Sequence, residues 1–281
     1  MEKEKMFALG FSWLTDLTFQ KHEILIKKFG SLEKAFYRES KSLGVGGNCC
    51  IFFEEILKEL EVEKIKTCYI KEEDYPKFLK KIYSPPPIIY YKGNININWD
   101  NSVSIVGSRD ESHYARRVIN DFVPKLTNLN INTISGLAIG VDTLVHKSTI
   151  ESKGQTTAVL GAGLSAKNIY PRRNKFLAEE LINNNSLIMS EFSPNTKVLP
   201  YNFPRRNRII AGLSKYTFII EAKESSGSLI TAKYALEEGR EVLTLIGSIY
   251  NQNSLGTNKL AKDGANIITN INDLVDILDI N

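Results

Sequence analysis

Short apolar runs alternate with helical patterns from Ser102 towards the end of the chain. The runs SVSIV, NTIS, TTAVL, SLIMS, FIIEA and EVLTLIG have the length of buried strands, and a segment with apolar residues at helical spacing follows each of the first five. Strands that are buried on both faces and joined by helices form parallel sheets. The pattern therefore predicts an α/β protein with an extended Rossmann-like fold, in which helices cover both faces of a mostly parallel sheet.

Residues 1–65 have a different pattern, with apolar residues at helical spacing and without strand alternation. They predict a small all-helical domain of the SAM or helix-hairpin-helix-like kind that precedes the sheet. A helix-hairpin-helix reader of DNA needs a glycine hairpin whose backbone amides meet phosphate, and the candidates are Gly44, Gly46 and Gly47. The alternative is a domain that serves packing or protein interaction.

Three consecutive prolines, at 85–87, separate the helical pattern from the β-rich run IIYYKG. Proline blocks a helix, so this segment predicts a linker that ends in an entry strand. We therefore expect a helical domain at 1–65, a linker with an entry strand at 66–101, and a Rossmann-like domain at 102–281.

Composition changes this picture little. The chain has 281 residues, of which 42% are hydrophobic and 24% charged, as in ordinary globular proteins. A net charge of +4 does not identify a partner, so local clustering of charge matters more. Cys49, Cys50 and Cys68 form no CxxC pair, so we expect neither a disulfide framework nor a zinc site. Signal-peptide and membrane-spanning runs are absent, which predicts a cytoplasmic protein without membrane association.

Motifs of small residues follow the strands, at the edge where parallel sheets bind their ligands. In VGSR, glycine allows a sharp turn, serine offers a hydroxyl and an amide, and arginine can clamp an anion. The turns SGLAIG and SSGS allow backbone amides to approach a phosphate closely. The predicted phosphate-binding positions in these three motifs are Gly107, Ser108, Arg109, Gly136, Ser226, Gly227 and Ser228.

A cluster of arginines lies in the motif FPRRNR, just ahead of an apolar helical stretch. Arg205, Arg206 and Arg208 surround Asn207, and the aromatic ring of Phe203 lies beside them. Helix N-termini favour anions, and aromatic faces between cations hold single-stranded nucleic acids. All five residues are therefore candidate binding residues. The alternative is a solvated basic turn with internal salt bridges.

Catalytic motifs and cofactor motifs are weak or missing. The segment GAGLSA at 161–166 matches the GxGxxA dinucleotide pattern, but it follows a later strand instead of the first one. The chain contains no GxSxG, HExxH or neighbouring Cys and His. Asp142 and His146 could share a helix face, but two ligands do not make a metal site, and a structural hydrogen-bonding role is the favoured alternative. We expect no catalytic residue, metal or cofactor.

As an ordered set, the motifs resemble one family. Residues 102–268 contain, in fixed order, VGSR, SGLAIGVDTLVH, AVLGAGL with YPRRN, SEFSP, FPRRNRIIAGLS, EAKESSGSLITAKYALEEGREV and GTNKLAKDGA. This set resembles the DNA-processing protein A family, also called DprA or Smf. The resemblance implies a homodimer without enzymatic activity that binds incoming single-stranded DNA, protects it, and loads the RecA recombinase during natural transformation and DNA recombination.

The resemblance also bears on individual residues. It implies that the candidates in VGSR and SSGS bind phosphate together with Phe203, Arg206, Asn207 and Arg208, and it adds Lys197, in the loop before FPRRNR, as a weaker candidate. Ile139 stands where relatives often carry arginine, which weakens one expected contact. The chain ends soon after the Rossmann pattern, so we expect no C-terminal winged helix.

An enzyme is the competing class. Phosphoribohydrolases of the lysine decarboxylase-like group resemble the same domain and use the glutamate of a PGGxGTxxE pattern. In the matching region this chain reads SSGSLITAKYALE, with Ala232 and Lys233 where an acid would be needed. A third alternative is a nucleotide-sensing module whose ligand regulates a partner bound by residues 1–65.

Overall fold

The computed structural model describes residues 2–40, 42–45 and 49–278. Gly46 and Gly47, two of the three glycines considered for a DNA-binding hairpin, lie outside the described residues. The N-terminal part consists of the helices α1 (Glu2–Leu14), α2 (Phe19–Phe29), α3 (Leu32–Glu39) and α4 (Cys49–Val62). Thr18 and Ser31 begin α2 and α3 by accepting backbone N–H groups of the first turn, and Gly30 ends α2 in the left-handed region.

Within the described residues, nine strands form one sheet in the order β1-β2-β6-β5-β4-β3-β7-β8-β9. All neighbouring strands from β6 to β9 in this order are parallel, whereas β2 pairs antiparallel with both β1 and β6. The predicted extended Rossmann-like α/β fold is confirmed. The strands are β1 (Lys66–Tyr69), β2 (Ile88–Gly93), β3 (Ser102–Val106), β4 (Asn132–Ser135), β5 (Thr156–Val159), β6 (Leu187–Ser190), β7 (Tyr216–Ile219), β8 (Glu241–Thr244) and β9 (Asn266–Ile267).

Helices connect the strands and cover both faces of the sheet. The central strands are therefore buried on both faces. One face packs against a core around Phe122 and Phe218, and the other against a core that continues into the N-terminal helices. These helices are α5 (His113–Asn128), α6 (Val141–Glu151), α7 (Lys175–Asn183), α8 (Asn202–Gly212), α9 (Gly227–Glu237), α10 (Leu255–Lys262) and α11 (Ile271–Ile277), with short 3₁₀ turns at Leu79–Lys81, Arg172–Asn174 and Gln252–Ser254.

The N-terminal helices pack against the antiparallel end of the sheet. The Tyr90 hydroxyl donates to Ser12 Oγ at 3.0 Å, and the ring of Trp13 lies 6.4 Å from that of Tyr90. His22 Nε2 and the Tyr69 hydroxyl form a buried hydrogen bond of 2.9 Å. The domain boundaries stay predictions, since these contacts make the two parts continuous in packing.

Two details differ from the sequence pattern. The segment at 66–101, expected to contain one entry strand, contributes both β1 and β2. Helix α8 begins at Asn202, so FPRRNR lies inside the helix instead of ahead of it. Pro204 is tolerated there because the first turn of a helix needs no partner for its backbone N–H groups.

The sheet contains a topological switch point between β3 and β7. From β3 the chain proceeds through β4 and β5 to β6 on one side, and β7, β8 and β9 follow on the other. In open α/β sheets, ligands bind outside the carboxyl ends of the strands at such a point. Among the described residues, every helix is too short or too polar to span a membrane.

Candidate functional site

A cavity of about 440 Å³ opens at the switch point. It is bounded by the turn after β3, the loop after β4 with the start of α6, the loop after β7 with the start of α9, and one side of α8. Four polypeptide segments that are distant in sequence therefore meet at the place where the topology predicts a ligand. The predicted binding residues that line it are Gly107, Ser108, Arg109, Phe203, Arg206, Asn207, Ser226, Gly227 and Ser228.

The turn after β3 presents an arginine to this cavity. A Cβ on Gly107 would lie 2.7 Å from a methyl group of Val141, so only glycine fits there. The Ser108 hydroxyl donates to the carbonyl of Asp110 at 2.9 Å and accepts the Asp110 N–H at 3.1 Å, which closes the turn. Arg109 is exposed and forms no hydrogen bond or ion pair with any residue that the structure describes. Its guanidinium group is available for an anion.

The opposite wall is the N-terminus of α9. Ser226 caps this helix, since its hydroxyl accepts the N–H of Ser228 at 3.3 Å. A side chain added at Gly227 would meet open space, so the backbone there is accessible. Asn207 on α8 donates from Nδ2 to the carbonyl of Gly227 at 3.2 Å, which links the two helices. Free N–H groups and the helix dipole favour a negative charge at this end.

Phe203 forms one edge of the cavity. A Cβ on Gly161 would lie 3.0 Å from its ring, which shows how closely the ring packs on that loop. The Arg109 guanidinium lies 5.8 Å from the ring centroid of Phe203, and the half-exposed ring of Tyr170 lies 5.7 Å from it. An apolar surface thus continues from the cavity towards the outside.

Arg205 and Arg208 point away from the cavity. Both guanidinium groups donate to Glu191, a carboxylate that is only 3% exposed and lies just after β6. Arg205 also donates to Asp16, in the turn between α1 and α2. These contacts match the alternative of internal salt bridges, whereas direct phosphate binding by the two arginines stays a prediction.

Arg206 lies beneath the cavity and is 4% exposed. Its Nη1 donates to the carbonyl of Gly136 at 2.6 Å and to the carbonyl of Val159. Burial lowers the pKa of this guanidinium to about 10, which leaves it charged at neutral pH. Gly136 lies outside the cavity lining because the guanidinium packs against it.

Lys197 lies in the exposed loop before α8 and outside the cavity lining, and its binding role also stays a prediction. Lys223 does line the cavity, and its ammonium group lies 3.7 Å from the carboxylate of Asp110. Sequence reasoning missed this lysine. Its position directly after the apolar run FIIEA was the available signal.

The acidic and histidine side chains near the site form hydrogen bonds within the protein. Glu221, after β7, accepts the N–H and the hydroxyl of Ser112 at 2.9 and 2.7 Å, and burial raises its pKa. His146 binds Thr156 at 2.8 Å, and burial lowers its pKa to about 3. Among the described residues, no group of three or more His, Cys, Asp or Glu side chains could hold a metal ion.

The residues that replace the acid of the enzyme pattern lie on α9. Ala232 is fully buried, and the exposed Lys233 pairs with Glu237 at 3.6 Å. Neither side chain lines the cavity.

Comparisons with known proteins agree with one another. Residues 66–279 match the family model described as DNA recombination-mediator protein A. The chain is 37% identical to DNA processing protein DprA of Bacillus subtilis over 224 residues, which cover 79% of this chain and 74% of that protein. The X-ray structure of DNA processing protein A from Streptococcus pneumoniae superposes with a TM-score of 0.78 at 31% identity and covers 98% of both chains. A structure that describes single-stranded DNA binding by DNA processing protein A from Helicobacter pylori has a TM-score of 0.68 at 26% identity, and covers 76% of this chain and 95% of that one.

Proposed function

The chain belongs to the DNA recombination-mediator protein A family, and on that premise we propose that it binds single-stranded DNA at the switch-point cavity. The observation that carries the proposal is Arg109, an exposed guanidinium that forms no hydrogen bond or ion pair with any described residue and lines the same cavity as the N-terminus of α9. The relative from Helicobacter pylori is described by its binding of single-stranded DNA. We call the set formed by Gly107, Ser108, Arg109 and the 226–228 turn the phosphate cradle.

A polymer of phosphates suits the surroundings of the phosphate cradle better than a single nucleotide does. The rings of Phe203 and Tyr170 lead outwards from it, and the exposed Arg172 and Arg173 follow Tyr170 in the chain. Stacking on aromatic rings between cations holds single strands without reading their sequence. We therefore propose that one phosphate binds at Arg109 and that the strand leaves over Phe203.

The biological role extends this proposal. We propose that the protein protects single-stranded DNA and loads the RecA recombinase onto it during DNA recombination, including natural transformation, and that it acts as a homodimer in the cytoplasm. The family membership supports the role in DNA recombination. Sedimentation tests the dimer, and a strand-exchange assay with RecA and DNA coated by a single-strand-binding protein tests the loading. A monomer, or no gain in RecA activity, contradicts the respective statement.

Fluorescence anisotropy with a labelled oligothymidine tests the binding itself. We expect unlabelled single strands to compete and duplex of the same length to compete much less, with affinity that falls as salt rises because counterions are released. Equal competition by both forms contradicts the proposal. Incubation with AMP should release no adenine, since Ala232 and Lys233 occupy the positions of the enzyme's acid; release of the base would favour a phosphoribohydrolase.

The variant Arg109→Ala tests the phosphate cradle. A hydrogen bond to a charged group contributes about 1.5–3 kcal/mol, so we expect affinity to fall by about 10- to 100-fold. The dependence of log affinity on log salt should become shallower by about 0.7, the value for one phosphate of a single strand. Arg117→Ala is the matched control, because Arg117 is also exposed but lies on α5, outside the cavity lining. An equal loss in both variants would show that the effect is one of net charge only.

A further inference from the structure

We propose that Asp142, which borders the cavity, is the positioning residue of the phosphate cradle and acts on Arg109 through the backbone of residues 136–140 instead of binding the phosphate itself. The inference rests on the proposed function and deepens it. Sequence analysis considered Asp142 as one of two possible metal ligands, or as a residue with a structural hydrogen-bonding role. The hydrogen bonds of Asp142 indicate a more specific role.

Asp142 holds a strained loop. It lies in the first turn of α6, is 6% exposed, and accepts with Oδ2 the N–H of Gly136 at 3.1 Å and that of Ala138 at 3.3 Å. Between these two residues, Leu137 has a φ of 57°, in the left-handed region that side chains disfavour. A loop with such a residue keeps its conformation only when its surroundings hold it. The Asp142 carboxylate supplies two of the contacts that do so.

Arg206 holds the same loop from the other side. Its Nη1 donates to the carbonyl of Gly136, the residue whose N–H is bound by Asp142. A Cβ at Gly136 would lie 2.5 Å from this nitrogen, so the loop packs directly on the guanidinium. Both polar groups of one residue are therefore fixed by two buried side chains of opposite charge.

The other end of the loop supports the turn that carries Arg109. Gly140 has a φ of 82°, and a Cβ there would lie 2.3 Å from the carbonyl oxygen of Ser108. The N–H of Val141 donates to that same oxygen at 3.0 Å, and the Val141 side chain fills the space beside Gly107. A shift of the 136–140 loop must therefore move the backbone of Ser108 and Arg109, because no gap separates them.

The test compares Asp142→Ala with Asp142→Asn. Alanine removes the acceptor, whereas the asparagine oxygen can still accept both N–H groups. We expect Asp142→Ala to weaken oligothymidine binding by about tenfold, because the turn that carries Arg109 is no longer held in its binding conformation. We expect Asp142→Asn to bind within about twofold of the unchanged protein. In both variants the salt dependence should keep its slope, because no phosphate contact is lost, whereas Arg109→Ala makes it shallower.

A separate measurement distinguishes positioning from a general loss of stability. Hydrogen exchange should accelerate in Asp142→Ala in peptides that cover 135–140 and also in those that cover 107–112, and should stay slow in Asp142→Asn. The control is Ile119→Val on the buried face of α5, which should lower the melting temperature without touching the loop. Affinities are measured at a temperature where all variants are folded, and the control should bind like the unchanged protein.

The outcomes separate this inference from the proposed function. If the unchanged protein does not bind single strands, the proposed function fails first. If it binds and Arg109→Ala weakens binding, but Asp142→Ala binds normally, only the positioning role is overturned. A shallower salt dependence in both Asp142 variants, or equal weakening in Asp142→Ala and Ile119→Val, also overturns it.

Discussion

Acid should destabilise this protein through His146, a buried histidine on α6 one turn after Asp142. The side chain is fully buried, and its Nδ1 bonds the Thr156 hydroxyl at 2.8 Å. Within the described part of the chain Nε2 has no hydrogen-bond partner. Burial and the nearby charge of Arg206 lower the pKa to about 3, so the imidazole is neutral in the folded protein.

The sign and size of the effect follow from proton linkage. The unfolded chain binds a proton at a pKa of about 6.5, whereas the folded chain resists protonation down to about 3. The contribution of His146 to the free energy of unfolding is therefore fully present above about pH 6.5 and is lost as the pH falls below that value. One pKa unit corresponds to about 1.36 kcal/mol. At constant temperature, lowering the pH from about 7.5 to about 5 should therefore lower the free energy of unfolding by about 2 kcal/mol.

Urea denaturation followed by circular dichroism at several pH values measures this loss. The comparison is with His146→Leu, which cannot take up the proton while all other titrating groups are kept. We expect the free energy of unfolding of the unchanged protein to fall by about 2 kcal/mol more than that of the variant over this range. Parallel pH profiles for the two proteins would refute the assignment of a neutral buried histidine.

Three further substitutions have defined effects on the free energy of unfolding, all measurable by denaturation. Gly136→Ala should lower it by about 1–3 kcal/mol, since the new Cβ would overlap the fixed guanidinium of Arg206. Glu191→Gln should lower it by about 3 kcal/mol, because two partly buried arginines lose their shared carboxylate. Ser112→Ala should lower it by about 1 kcal/mol or more, because α5 loses its N-cap and Glu221 loses a donor.

Each of these has a simple check. An unchanged stability in Gly136→Ala would mean that the loop can move away from Arg206, which also weakens the case for Asp142. Normal stability in Glu191→Gln would mean that the arginines are free to bind other anions. An unchanged free energy of unfolding in Ser112→Ala would mean that water replaces the cap. The control is Ser152→Ala, because Ser152 follows the C-terminus of α6 and caps no helix N-terminus.

Sequence patterns were sufficient for the order of elements from β3 to β8 and for the place of the motifs, but not for β1 or for β9. The runs from SVSIV to EVLTLIG are strands, and VGSR and SSGS meet at one cavity because parallel strands end at the same edge. The direction of the arginines in FPRRNR was beyond such reasoning. It depends on Glu191 and Asp16, which come from a different strand end and from the helical part, and spacing along the chain does not reveal that they meet.

The place of the phosphate cradle between β3 and β7 has a consequence for the growing chain. Ser226 follows Arg109 by 117 residues, and the two meet only when β7 has paired beside β3. Contacts of such high sequence separation form late in folding, after the entropy of closing a long loop has been overcome. A chain still on the ribosome, or one cut before α9, has half a cradle and cannot hold a phosphate between its walls. Binding of single-stranded DNA at this site therefore requires that both halves of the sheet have paired.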